Sequence, residues 1–389
     1  MRILYIHSTQ VPPPLDTRTD RFFLLSEKLE GDVLQPIWFG TPEEVEAELG
    51  PGSFPVYESG RFRYHWFLAR FPNGRNRSRL AHFWFYIRKG VEVHRERAFD
   101  CIIAYSHMMT GLAAACVKLL TGAKLIIELV TTPQLVYVTE HARPTLRDRW
   151  MKLYSDVCLY LSLWAADRVH LLYATQLAAY PMLRRVKSSV FHDFVPVSVI
   201  AAHEEGEERY VLTVGSPWYL KGADRLIAAF RRLAPDFPDV KLKMVGWYVQ
   251  TDREQLEALA GDSKQIELVR ATPYPITLET ISGCLLLAHP SRCDGLPRAV
   301  IEGLAAGVPV VGSDVGGIPD LIHQGEDGFL VPGGDVRELE TRIRELLADP
   351  ELRRRMGAKG YEFAHTQLTE QVYVEKFAAM VADTVRGGT

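Results

Sequence analysis

The chain has 389 residues, 47% of them hydrophobic and 24% charged, with a formal net charge of −3. That length exceeds one ordinary domain and suits two, and the charge balance excludes a disordered chain and gives no reason to expect nucleic acid as a partner. The five cysteines, at 101, 116, 158, 284 and 293, lack any CxxC spacing and read as buried thiols of a reducing cytoplasm.

In chain order, MRILYIHS has no apolar signal-peptide core and reads as a first strand. ILYIH, DVLQPIWFG, CIIAY, KLIIEL and RVHLLY follow as short apolar runs, predicted strands, with helices such as Asp20 to Leu29 and Thr110 to Leu120 between them. Between Arg61 and Arg97, ten Lys/Arg stand against two acids, interleaved with Phe62, Tyr64, Trp66, Phe67, Phe71, Phe83, Trp84, Phe85 and Tyr86. Two readings of that segment stay open: a peripheral surface for anionic lipid or a phosphorylated acceptor, or a helical pair with core aromatics and solvated arginines. The apolar helix candidate Val157 to Ala166 is too short for a bilayer, which takes roughly 20 residues. From Asp193 to Arg209 the apolar pattern gives way to proline and charge, marking a linker. YVLTVG, KLKMVGW, IELVRA, CLLLAHP and VPVVGSD are the strands of a second half, with helices at Leu226 to Ala234, Arg253 to Leu259, Arg298 to Ala306 and Arg337 to Leu347. LTEQVYVEKFAAMVADTV closes the chain as an amphipathic helix.

Alternating strands and helices predict an α/β protein with two parallel, Rossmann-like sheets. The boundaries are residues 1–195, 196–369 and a terminal helix over 370–389. Ligands of open α/β sheets sit beyond the carboxyl ends of the strands, so the loops after Ile6, Ala104, Leu129, Val214, Val245 and His289 face an interdomain cleft. The stretch HPSRCDGLPRAVIEGLAAGVPVVGSDVGGIP, from His289 to Pro319, is the most informative. Asp294 and Glu302 stand eight apart; Gly295 permits a tight turn, Leu296 follows, and Pro297 suits the start of a helix. Free amides at such a start attract phosphate, and a carboxylate further along can accept from two vicinal hydroxyls. Asp294 as a helix cap and Glu302 as a solvated charge is the plainer reading. Gly215 and Lys221 bring an ammonium to the same end of the same sheet, which favours a nucleotide-diphosphate site. Neither a GxGxxG nor an HxxxH, HExxH or cysteine cluster is present, so no dinucleotide cofactor and no metal is expected.

VGSPWYLKGADRLIAAF, VKLKMVGW, LLAHPSRCDGLPRAVIEGLAAGVPVVGSDVGGIPDLI, GEDGFLVPGGD and ELLADPELRRRMG resemble the donor domain of GT-B glycosyltransferases of family GT4, the retaining sugar transferases. The resemblance runs from Val211 to about Phe363; in the first half it is architectural. It implies two Rossmann-like domains facing a cleft, a C-terminal helix crossing back to the N-terminal domain, and an N-terminal acceptor domain. It implies that Glu302 binds a ribose diol, Asp294 lies at the transferred sugar, and Gly295, Leu296 and Pro297 meet the diphosphate or sugar. Lys221 and Gly215 belong at the diphosphate, and Arg270 near the base. Three single-residue departures stand beside one in a loop: Asp294 for the usual glutamate, Ser216 for the usual arginine, and Glu128 for the usual N-domain histidine. His107 is then the candidate substitute for that histidine, and Arg18, Arg292 or Arg298 for the missing arginine. The usual Gly-Gly loop is here STQVPPPLDTRTDR, whose Asp16, Thr17 and Arg18, with Glu128, are the expected acceptor contacts.

The expected function is a retaining transfer from a nucleotide-diphosphate sugar, UDP favoured, to a glycan, lipid-linked or small-molecule hydroxyl. Lys221, Asp294 and His107 are the catalytic candidates, and no cofactor or metal is expected. The expected place is cytoplasmic, with peripheral contact to the inner membrane face through 61–97, serving envelope or exported polysaccharide. A nucleotide-sugar epimerase or hydrolase of this architecture, or a non-catalytic nucleotide-sugar-binding partner, is the alternative.

Overall fold

The computed structural model describes residues 1–7, 20–37, 41–52, 54–71, 75, 77–130, 145–204, 206 and 208–387. Its strands form two sheets. Among the described residues the first has eight, in the order β3 (Val56–Ser59), β4 (Phe62–Leu68), β2 (Glu30–Ile37), β1 (Arg2–Ile6), β5 (Cys101–Tyr105), β6 (Lys124–Leu129), β7 (Arg168–Leu171) and β8 (Lys187–Val190). The second has six, in the order β11 (Ile266–Arg270), β10 (Val240–Gly246), β9 (Arg209–Val214), β12 (Leu286–His289), β13 (Val310–Ser313) and β14 (Gly328–Val331). Every pairing is parallel except that of β3 (Val56–Ser59) with β4 (Phe62–Leu68). Inner parallel strands are mostly apolar, as in RILYI of β1 (Arg2–Ile6), CIIAY of β5 (Cys101–Tyr105) and VVGS of β13 (Val310–Ser313), because both of their faces are covered.

In the second sheet the order reverses beside β9 (Arg209–Val214), which pairs with β10 (Val240–Gly246) on one side and β12 (Leu286–His289) on the other. Chain paths diverge there and leave a crevice at the carboxyl edge. The loops after Val214 and His289 open onto that crevice. The helix Ala223–Leu233 carries Leu226, Ile227, Phe230 and Leu233 on one buried face. Helix Arg298–Ala306 is buried over nearly its whole length and stops at Gly307 (φ +80°), a left-handed position that favours glycine.

Several sequence expectations change here. Segment 61–97 is no helical pair: Phe62–Leu68 is a strand and Arg79–Glu96 one 18-residue helix. FRYHWFL hides its strand period because both faces are covered; Phe62, Tyr64 and Trp66 enter one core while His65 bonds the buried Asp32. Most of the segment's aromatics are therefore core, and Phe71 and Trp84 are its large exposed rings. The helix expected over Asp20 to Leu29 is only Arg21–Leu25, since the chain turns at residues 26–28 to enter the next strand. The candidate Val157 to Ala166 is the end of a 20-residue helix, Leu146–Ala165. Strands Val56–Ser59, Lys187–Val190 and Gly328–Val331 and the helix Pro350–Gln367 were not foreseen.

The last helix, Glu370–Val385, returns to the first sheet. Tyr373, Val374, Phe377, Met380 and Val381 join the core built from Ile3, Tyr5, Cys101 and Ile103. The Arg168 guanidinium donates to the Thr384 hydroxyl at 2.9 Å near the far end. Phe377 is fully buried in that seam. Phe377→Ala is expected to cost about 3–5 kcal/mol, read as a lower urea midpoint at unchanged slope.

Candidate functional site

A cleft of about 670 Å³ lies at the crevice, walled by Val214, Gly215, Ser216 and Lys221 from the loop after β9 and by His289, Pro297, Arg298, Ala299 and Glu302 from β12 and its following helix. Tyr274 and Thr277 close one side, and Phe194 and Pro196 of the linker the other. Gly215, Ser216, Lys221, Pro297 and Glu302 thus come together as the sequence suggested. Asp294, Gly295, Leu296 and Arg270 are not on the wall.

Asp294 stands behind it, in company the sequence did not indicate. Its Oδ2 receives the Lys221 ammonium at 2.6 Å and the His289 Nε2–H at 2.7 Å, with the Ser291 hydroxyl 3.1 Å away. Burial opposes ionisation of Asp294, but the His289 hydrogen bond and the Lys221 charge outweigh it and hold the carboxyl far below its usual range. Burial favours the neutral imidazole of His289. A neutral ring donating from Nε2 has only a lone pair at Nδ1, and that buried atom has no partner among the described residues. A short-range spacing, HPSxxD, was the available signal for this triad.

The loop bearing Asp294 is clamped by the two glycines beyond it. Gly316 lies at φ +60°, and a Cβ there would sit 1.8 Å from the Asp294 carbonyl oxygen. The Gly317 amide donates to the Gly295 carbonyl at 2.7 Å. Across the site, a Cβ on Gly222 would meet the Pro290 carbonyl at 2.0 Å. Among the described residues, the amides of Gly295, Leu296, Arg298 and Ala299 have no protein acceptor. They form the positive end of the helix that begins at Arg298.

Glu302 is 4% exposed and accepts from the Tyr274 hydroxyl at 2.9 Å, with Arg298 Nε 3.7 Å away. Burial raises its carboxyl against the lowering influence of Arg298 and Tyr274. Ser216 binds the backbone of Trp247, accepting from its amide at 2.7 Å, and so serves the neighbouring loop. Arg292 is withdrawn: it forks onto Asp224 at 2.6 and 2.7 Å and stacks on Tyr219. Of the substitutes for the missing arginine, Arg298 alone is on the wall; Arg18, like Asp16 and Thr17, lies outside the described residues. Arg270 lies over the Trp247 ring, 5.1 Å from its centroid.

His107 and Glu128 do not reach this cleft. His107 is buried, its Nε2 2.8 Å from the Ser155 hydroxyl of the helix Leu146–Ala165, and burial lowers its pKa to about 4. Glu128 spends both oxygens inside the first sheet, on the Tyr5 hydroxyl and on His170 Nδ1 at 2.8 Å. Its side chain is buried inside the sheet, away from the cleft wall.

Two outcomes follow. Gly316→Ala should destabilise the fold by more than about 1 kcal/mol, with loss of the loop's protection in hydrogen exchange at Asp294 and Gly295. Glu302, whose folded pKa is raised, favours folding only while protonated. That contribution is complete below its ordinary value of 4.5 and disappears as pH rises through the raised one. Glu302→Gln should therefore melt at or above the wild type at pH 7, the gap closing as pH falls toward 4.5.

Residues 200–363 match the family model described as "Glycosyl transferases group 1". The GDP-mannose-dependent alpha-(1-6)-phosphatidylinositol monomannoside mannosyltransferase of Mycolicibacterium smegmatis is 32% identical over 153 residues, 37% of this chain and 40% of that one. The chain spans less than half the length of the curated relatives it matches. Sucrose-phosphate synthase from Thermosynechococcus elongatus aligns over 100% of both chains at a TM-score of 0.77 and 18% identity. Anabaena HepE in complex with UDP-glucose does so at 0.68 and 16%. Residues 200–363 are thus similar to group 1 glycosyltransferases, and the whole chain shares the GT-B fold of these structures.

Proposed function

We propose that this chain is a group 1 glycosyltransferase, a retaining one that takes a sugar from a nucleotide diphosphate. The observation that carries the reading is one cleft that combines Lys221, an open helix start and the buried Glu302, all three from the matched segment. A diphosphate fits against the wall amides of Arg298 and Ala299 and the Lys221 ammonium, and a ribose diol fits Glu302. Tyr274 and Arg298 hold that carboxylate in place. Arg298, on the wall, supplies the positive charge that Ser216 lacks. UDP is favoured because HepE was solved with UDP-glucose; the mannosyltransferase relative, which its name makes GDP-dependent, keeps guanosine in contention.

In this reading the acceptor hydroxyl approaches the anomeric carbon from the face the diphosphate leaves. The anomeric carbon–oxygen bond breaks, the new carbon–oxygen bond forms on the same face, and the acceptor proton passes to a phosphate oxygen. The protein's part is electrostatic: Lys221 and the helix start stabilise the departing charge. Asp294, behind the wall, fixes the ammonium through Oδ2. No metal is needed for that work. Residues 1–195 would hold the acceptor, on the cytoplasmic side and in envelope or exported polysaccharide or glycolipid synthesis. The second reading, a donor-binding partner without turnover, draws on Ser216 and on the prior engagement of Asp294 by Lys221.

A thermal-shift screen of UDP-, GDP- and ADP-sugars should single out one base, because a ligand at 100 times its dissociation constant adds about 2.7 kcal/mol. With that donor, Lys221→Ala should lower kcat far more than it raises KM, since the leaving charge grows only as the bond breaks. Glu302→Ala should weaken nucleotide binding by about 1.5–3 kcal/mol in calorimetry. Tight binding with no sugar release or transfer in the wild type would favour the partner reading.

A further inference from the structure

The helix Leu146–Ala165 has two apolar sides. One, with Cys158, Leu159 and Leu163, packs inward over the first sheet. The other carries Leu146, Trp150, Leu153, Val157, Tyr160 and Trp164, each 49–77% exposed. At roughly 100° per residue these six fall within one outward stripe about 100° wide. Single exposed apolar residues are ordinary on a soluble protein, but a continuous row with two tryptophans is not. Arg147 and Arg149 border the stripe on its two sides, exposed and without an ion-pair partner among the described residues. The acids of this helix are out of the way: Asp148 is buried in the capping box with Thr145, and Asp156 is paired with Lys152.

The stripe has neighbours. The helices Arg79–Glu96 and Met109–Thr121 cover the same sheet face beside it; Lys118 of the second donates to the Ala165 carbonyl at 2.8 Å. The outer side of the first presents Leu80, Trp84, Arg79 and Arg88, and the second presents Leu119.

We propose that this helix layer seats the protein on an anionic phospholipid bilayer, with the helix Leu146–Ala165 lying in the interface. Trp and Tyr along a row match a boundary that is apolar below and wet above, and arginines at its borders match phosphate headgroups. Cations on both flanks of an aromatic row are complementary to a layer of anionic headgroups above an apolar interior. The helix lies on the membrane and does not cross it, since no described helix is long and apolar enough to span. The site of contact thus shifts from the aromatics of 61–97, mostly core, to this stripe, with Leu80, Trp84 and nearby arginines as its rim. Placement matters too. His107, two residues past the carboxyl end of its strand, touches Ser155, so residues 146–154 extend about 13 Å beyond that edge. It is the edge on which ligands of such sheets bind. The bilayer surface would lie beside that edge of the first sheet, where a lipid-linked acceptor could enter.

The seat is independent of the donor reading, and one experiment separates them. Flotation with vesicles of phosphatidylglycerol and phosphatidylcholine, against phosphatidylcholine alone, is run across a salt series on the full chain. Binding is expected to the anionic vesicles only, falling with salt, with a blue shift of tryptophan emission. Trp150→Glu/Trp164→Glu should lower the partition coefficient about tenfold or more, with its nucleotide thermal shift unchanged. Arg147→Glu/Arg149→Glu, at exposed positions that leave the fold alone, should lose binding in low salt. Absence of anionic binding at low salt, or equal binding by both double variants, overturns the proposal. So does a wild-type dimer in light scattering that the tryptophan variant dissociates, which would make the stripe a contact between two copies of this chain.

Discussion

A carboxylate taken out of water must be surrounded by donors, or it costs several kcal/mol. Two such carboxylates organise this chain. Glu128, inside the first sheet, is met by Tyr5 and His170. The Tyr5 hydroxyl in turn receives Arg21 at 2.9 Å, and Arg21 reaches Asp193 of the linker and Tyr373 of the last helix, each at 3.2 Å. One buried negative charge thereby fixes the first strand, the linker and the returning helix relative to one another. Asp294 does the same in the second half, where one oxygen gathers Lys221, His289 and Ser291 from two loops. Replacing either carboxylate by an apolar residue would leave cations and hydroxyls facing nothing. The cleft lies between these anchors, with Phe194 and Pro196 on its wall immediately after Asp193.

The second half was legible in the sequence because its signals are local. Gly295, Pro297, Glu302 and Gly307 follow each other along one turn and one helix, and their spacing alone places an open helix start before a carboxylate. Gly316 and Gly317 announce a close approach, though only the fold shows that they approach Asp294. What escaped were pairings across long separations. Nothing near Lys221 in the chain points to Asp294, 73 residues on. Glu128 and His107 looked like ligands of the cleft because polar residues at strand ends commonly are; their partners, His170 and Ser155, are 42 and 48 residues away. Periodicity failed where both faces of an element are occupied. Phe62–Leu68 reads as neither strand nor helix for that reason. The helix Leu146–Ala165 was shortened to its most apolar end because its outward side is apolar and its start is charged.

The return of the last helix also sets the mechanics of the two halves. The polypeptide passes between them twice, once through the linker and once at Gln367 to Thr369. Phe191, His192 and Asp193 line a small recess together with Gln367, Leu368 and Thr369, and the Ser198 amide donates to Glu370 at 2.9 Å. The two passages therefore run side by side. A body hung on one tether can swivel in any sense; a body hung on two adjacent ones can turn freely only about the short line that joins them. Tyr373 packs on Phe191 and Phe194, ring centroids 6.0 and 5.5 Å away, so both passages are anchored to the first sheet's core. The linkage is that of a door on paired pins: the cleft can widen or narrow, but its two rims stay in register.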